Sequence, residues 1–257
     1  HLLYARFFCY ALHNLGHVSF QEPFLKLRNQ GMILGPDGQK MSKSRGNVIN
    51  PDDVVADFGA DTLRMYEMFM GPFEAEKPWD TNGILGVRRF LDKVMRLAEA
   101  HHPEPVEGSS QVTFSLEREL HKTIKKVTED TAAMKFNTAI SQMMIFVNEA
   151  TAKGIGREHL LTFVQLLAPY APHLAEEIWE KLGNKESVFK SVWPTFDETL
   201  TQDEKINMPM QVNGKVRATL EVDPEISEQE ALALALADEN VRKHLNGGKP
   251  KNVIFVK

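Results

Sequence analysis

The sequence predicts a multidomain, mainly α protein that ends in a small α+β unit of ββαβ type. Three observations carry this. Four consecutive stretches between residues 111 and 183 repeat apolar residues every three or four positions and are joined by short turns, the pattern of a helical bundle. Further on, Met208, Met210 and Val212 alternate up to Asn213-Gly214, and Val216, Ala218, Leu220 and Val222 alternate after it. Asn-Gly between alternating apolar residues is the strongest short hairpin signal. The length, 257 residues, points to two or three compact units rather than one core.

Composition narrows the function classes. Apolar residues make up 42% and charged residues 25%, as in soluble globular proteins. No apolar run approaches the roughly 18 residues of a membrane span, and the start lacks a signal-peptide pattern. Cys9 stands alone, which excludes an internal disulfide and a cysteine-rich zinc site and fits a reducing cytoplasm. With a net charge of −5 the chain has no overall attraction to nucleic acid, so any such contact must come from local basic patches. The chain has no initiator Met and begins inside an apolar stretch, so it reads as a piece of a longer protein.

In order, residues 1–15 read as a helix apolar on nearly all sides, expected to be buried on several faces. Pro23–Gln30 reads as a short helix, and Met32, Ile33 and Leu34 as a buried strand. Pro36, Asp37 and Gly38 supply turn chemistry. Asn50 is placed to cap a helix with Pro51 at its first position. That helix runs to Phe58 and Gly59, and another follows from Ala60. Ile84, Val87, Leu91, Val94 and Leu97 line a long amphipathic helix after Trp79-Asp80. Residues 101–111 have linker composition. In the bundle, Leu116, Leu120, Ile124 and Val127 mark the first helix, and Asn137 is expected to cap the second. Gly154 and Gly156 precede a third, and Pro169 and Pro172 a fourth. After the hairpin, Ser227 and Glu230 form a capping box for a helix to about His244, followed by a strand at Val253–Val256.

Between the early strand and the Asn50 helix lies Lys40-Met41-Ser42-Lys43-Ser44. Two ammonium groups on flexible stems can follow phosphate oxygens as negative charge gathers on them. Ser42 and Ser44 can donate to the same oxygens, and Gly46 gives the backbone freedom. The spacing is not that of the Walker phosphate loop. Elsewhere Lys122, Lys125 and Lys126 cluster on the first bundle helix. Lys215 and Arg217 flank the hairpin turn, with Lys249 and Lys251 further on. Each of these is either a solvated face or a phosphate contact.

The loop is identical to the KMSKS signature of class I aminoacyl-tRNA synthetases. The run Met41–Asp53 and then Gly59-Ala60-Asp61-Thr62-Leu63-Arg64 resembles the members for branched aliphatic amino acids. His1–Phe7, Tyr66–Pro72 and Leu167–Trp179 are similar to the leucyl family in particular, and Val212–Arg217 resembles its C-terminal domain. The short spacer from Gly31 to Lys40 is similar to bacterial members. The resemblance implies that residues 1–58 are the end of a Rossmann-type catalytic domain. It makes 59–110 connecting helices in the stem-contact region, 111–200 an anticodon-binding-type bundle, and 206–257 a truncated tRNA-binding α+β domain.

By the same resemblance, Lys43 and Lys40 are the catalytic cations and Lys40, Met41, Ser42, Lys43 and Ser44 bind ATP. Mg²⁺ is held mainly through the ATP phosphates, and no protein metal site is implied. Leucine, ATP and leucine tRNA are the implied partners of an intact enzyme that is monomeric. Lys122, Lys125, Lys126, Lys215 and Arg217 are candidate tRNA contacts. The family's partner signature His-Ile-Gly-His, its leucine pocket and its editing domain are absent, so the chain is expected to be inactive alone and its loop mobile. The alternatives are a non-catalytic tRNA-binding module, or part of an isoleucyl or valyl enzyme.

Overall fold

Helices form where the apolar spacing places them through most of the chain. The structure, a computed structural model, describes residues 2–100, 110–201, 206–223, 226–245, 248, 250 and 252–255, with the backbone alone at 110–114 and 206–207. Most of the expected linker, together with Lys249 and Lys251, lies outside the described residues. The chain divides into two compact units, residues 1–107 with 126–194, and residues 108–125 with 195–257.

The first unit starts with α1 (Leu2–Asn14), then β1 (Ile33–Leu34), α2 (Pro51–Phe58) and α3 (Ala60–Phe69). Next come β2 (Lys77–Pro78) and α4 (Thr81–Ala100). The far part of α5 (Ser110–Ala132), α6 (Phe136–Lys153), α7 (Arg157–Leu167) and α8 (Pro172–Lys181) complete it. Helix α3 is its hub, packing on α2, α4, α6 and α8. Met65, Ile84, Val87, Val94, Ile140, Phe146, Leu160, Phe163 and Ile178 are fully or almost fully buried. Phe146 and Phe163 stack with centroids 5.1 Å apart. Each such side chain contributes about 1.5–3 kcal/mol relative to exposure.

Two contacts link distant stretches of this unit. The Asp61 carboxylate accepts from the Leu174 N–H at 2.7 Å and the His173 N–H at 3.4 Å, and lies 2.7 Å from His173 Nδ1. It thereby caps α8 from another helix, where Ala171 at the local cap position offers no side-chain acceptor. Arg64 donates to the Pro169 carbonyl at 3.2 Å. At the head of α4, the Tyr66 hydroxyl donates to the Asp80 carbonyl at 2.6 Å and accepts its N–H at 3.1 Å.

The second unit holds the near part of α5, α9 (Glu198–Thr201), β3 (Ile206–Val212), β4 (Lys215–Val222), α10 (Glu228–Ala237) and α11 (Glu239–His244). The hairpin is antiparallel, pairing Met208 with Leu220 and Val212 with Lys215 around Asn213-Gly214. Both turn residues have positive φ, 53° and 75°, as a two-residue turn of this class requires. Val222, Ile226 and Ala231 form a small core, with Met208, Leu220 and Phe255 packed on it.

Several expectations are corrected. Pro23–Gln30 is not helical; Phe24, Leu25 and Leu27 are exposed, so no packing offsets the cost of helix nucleation. Helix α1 forms, but Cys9 is its one buried residue, with Leu3, Phe7 and Phe8 more than 60% exposed. Asn137 lies inside the first turn of α6, which starts at Phe136; Lys135 occupies the cap position, and the Lys135 N–H is bound by the Asp130 carbonyl at 2.7 Å. The helix expected to reach His244 splits at Asp238, whose carboxylate accepts from Asn240 and Val241 N–H and starts α11 afresh. No strand forms over residues 252–255, so the described part of residues 206–257 is ββαα; Val256 lies outside the described residues. The alternation on β4 is interrupted where Val216 pairs with Gln211 and Ala218 with Met210, leaving Arg217 as an extra residue. That bulge leaves Val216 exposed, off the line of apolar residues that the alternation predicted.

Candidate active site

The loop between β1 and α2 is braced at both ends. Strand β1 pairs in parallel with β2, Ile33 opposite Lys77 and Leu34 opposite Pro78, a partner too short to leave a sequence pattern. Gly31 lies so close to this segment that a Cβ there would sit 1.9 Å from the Ala75 carbonyl oxygen. The chain turns at Pro36–Gly38, where the Gly38 N–H meets the Gly35 carbonyl at 2.9 Å and the Gly35 N–H meets that of Gln39 at 2.8 Å. It runs back so that Lys40 bridges to Leu34. A 3-10 turn spans Lys43–Arg45, ended by Gly46 with φ +67°, a left-handed conformation that glycine adopts without steric cost. Asn50 then accepts the Asp52 N–H and Pro51 opens α2, as the sequence indicates.

Of the candidate residues, Lys40, Lys43 and Ser44 are exposed and Met41 and Ser42 half-buried. Among the described residues neither lysine has an ion-pair partner. Ser42 and Ser44 hydroxyl oxygens are 3.2 Å apart, so both stand on one side of the turn, in the same loop as the two lysines. Such a cluster of cations and hydroxyl donors suits a polyphosphate.

Sequence reasoning missed the support of the loop. The Asn47 amide reaches Asp37, Lys40 and Ser42 together, and Arg45 Nη1 lies 3.5 Å from Gln39 Oε1. The hydrogen bond from Asn47 and one from the Gln39 N–H hold the Asp37 carboxyl below its usual range. The expected mobile loop has, in this structure, a defined internal frame. The only available signal was an Asn directly after the Ser-Arg-Gly step. Among the described residues no three His, Cys, Asp or Glu side chains gather as a metal site.

A family model for class I tRNA synthetases of the I, L, M and V group matches residues 5–79. A second, for the anticodon-binding domain of tRNA ligases, matches residues 115–232. Among solved structures the chain is similar to the AgnB2 LeuRS of Agrobacterium radiobacter K84, crystallised as a ternary complex with tRNA and LeuAMS. The identity is 36% and the TM-score 0.72. The chain belongs to the class I aminoacyl-tRNA synthetases and is similar to the leucyl type. The match takes in 100% of this chain but 35% of that LeuRS, so the chain spans about a third of its relative's length.

The other basic candidates of this synthetase chain have varied surroundings. Lys125 meets Glu198 at 2.7 Å, with its ammonium 5.6 Å from the centre of the Phe196 ring. Lys126 pairs at 2.8 Å with Asp130, whose side chain is 6% exposed and also accepts from Thr138. These two lysines have structural partners. Lys122 is on the same helix, one turn before Lys126. Lys215 is exposed at the hairpin turn, and Arg217 is half-buried at the bulge, its Nε buried without a hydrogen-bond partner among the described residues. Among the described residues no helix is long and apolar enough to cross a membrane.

Proposed function

We propose that this chain supplies the ATP-phosphate loop and tRNA-contacting elements of a leucyl-tRNA synthetase that is monomeric and cytoplasmic. Residues 1–58 serve as the end of the catalytic domain, 59–110 as the stem-contact helices, 111–200 as the anticodon-binding-type bundle and 206–257 as a further tRNA-binding unit. The observation that carries the reading is the pair of exposed lysines, Lys40 and Lys43, without carboxylate partners among the described residues, on a loop whose backbone is held by Asn47.

In the first step the leucine carboxylate attacks the α-phosphorus of ATP. The bond to the bridging oxygen breaks, and leucyl-adenylate and pyrophosphate result. Negative charge grows on the departing β- and γ-phosphates, where Lys43 and, secondarily, Lys40 stabilise it more in the transition state than in bound ATP. Ser42 and Ser44 donate to the same oxygens, and the backbone at Met41 closes on the nucleotide. The loop offers no carboxylate set for Mg²⁺, since Asp37 is engaged by Asn47; the ion is carried with the phosphates as part of the substrate. The leucyl group then passes to the terminal ribose of leucine tRNA.

Lys43→Ala in the intact enzyme is expected to lower leucine-dependent pyrophosphate exchange by about 10²–10³-fold, the worth of one preorganised charge contact. Lys40→Ala should cost less. Exchange near the unmodified rate would remove Lys43 from this role, and exchange dependent on isoleucine or valine would overturn leucine as the substrate.

A further inference from the structure

One side chain ties the phosphate loop together. Asn47 Oδ1 accepts the Ser42 N–H at 2.9 Å. A backbone N–H can only donate, so the other end of this amide, Nδ2, faces Asp37 and Lys40. It lies 3.0 and 3.2 Å from the two Asp37 carboxylate oxygens and 3.4 Å from the Lys40 carbonyl. Asp37 is held in turn by the Gln39 N–H at 3.1 Å. The seat is closely shaped. A Cβ on Gly35 would come within 2.7 Å of Asp37 Oδ1 and 2.8 Å of Asn47 Nδ2, so only glycine leaves room for the pair.

The amide thus grips the backbone on both sides of Met41, at the Lys40 carbonyl and the Ser42 N–H. That short stretch sets the direction in which the Lys40 side chain leaves. Through the 3-10 turn that follows, it also sets the direction of Lys43. We infer that Asn47, locked by Asp37, is a positioning residue that aims both ammonium groups of the phosphate loop. The inference rests on the proposed adenylate-forming reaction.

Loss of the latch leaves both charges in place but spreads their orientations. Attraction to ground-state ATP tolerates that spread, because an ammonium is a point charge. Stabilisation of charge that appears only in the transition state does not. The latch therefore acts on kcat more than on KM for ATP.

In the intact enzyme, Asn47→Ala is expected to lower kcat for leucine-dependent pyrophosphate exchange by about tenfold or more per titrated active site, with KM for ATP changed by less than about threefold. Asn47→Asp, which sets two carboxylates face to face, should be at least as damaging. The exchange Asp37→Asn with Asn47→Asp restores a donor–acceptor pair and should recover a large part of the Asn47→Asp loss. In the chain itself, the Ser42 amide should exchange its hydrogen faster in Asn47→Ala while the amides of α2 remain protected. A kcat within twofold of the unmodified enzyme would overturn the inference. So would a loss explained wholly by fewer titrated sites, or a double variant no better than Asn47→Asp. If the unmodified enzyme shows no leucine-dependent exchange, the leucyl reading fails instead, and Ser42 amide protection still decides whether the latch exists.

Discussion

Asp61 gives its carboxylate to a helix that begins more than a hundred residues later, and the consequences are measurable. Replacement by Ala leaves the part-buried Leu174 N–H without this acceptor and is expected to destabilise the first unit by about 1 kcal/mol, as loss of a helix cap does, read by urea denaturation of the chain. Asp61→Asn keeps an acceptor oxygen and should cost less. At the exposed end of the scale, Glu22 accepts from Arg6 at 2.6 and 2.8 Å and from the Tyr10 hydroxyl at 2.7 Å. The Arg6 hydrogen bonds, then that from Tyr10, draw its carboxyl down to about 2. A depressed carboxyl pKa means that the contribution to stability is full above the ordinary carboxylate range and is lost as pH falls through about 2. Arg6→Ala should return the Glu22 titration, followed by NMR, toward the ordinary range. A midpoint left unmoved would assign the shift to another group.

The same reasoning separates elements held by their own ends from elements held by neighbours. Helix α10 carries its own start. Ser227 accepts the Glu230 N–H, and Glu230 returns the bond to the Ser227 N–H at 3.1 Å. Ser227→Ala should therefore cost about 1 kcal/mol in the second unit, and an unchanged denaturation midpoint would show that the helix is held by packing alone. Ser227, Glu230, Asn50 and Asn213-Gly214 were legible because caps and tight turns are satisfied within a few residues. The tertiary cap from Asp61 to α8 was not, although both stretches had been singled out for resemblance. Nor was the Asp37–Asn47 latch, since a side chain that fastens a loop leaves no periodic trace. The last strand and the Pro23–Gln30 helix were expected from local composition, but Phe24, Leu25 and Leu27 are exposed, and residues 252–255 pair with no strand although Phe255 packs on the small core.

For the whole molecule, the net charge of −5 confines RNA contact to patches. Lys125 and Lys126 are committed to Glu198 and Asp130, so phosphate contact at either requires breaking a pair. Binding of leucine tRNA by the chain is expected to weaken steeply with salt, with a slope set by the few phosphates neutralised. Lys215→Ala should lower that slope by about one if Lys215 is such a contact. A slope unchanged by Lys215→Ala would remove the hairpin from the interface.

The sequence by itself determined most of the succession of helices, the hairpin, the capped starts of α2 and α10 and the place of the cationic loop between β1 and α2. All of these are written in short-range spacing and turn chemistry. Only the tertiary structure decided that α3 joins the loop-bearing region to the bundle, and that Asp61 caps a distant helix. It also showed Arg217 bulging from its strand, and one amide holding the backbone between Lys40 and Ser42. These depend on which surfaces meet, and on hydrogen-bonding groups that stay unsatisfied until a remote or non-periodic partner reaches them.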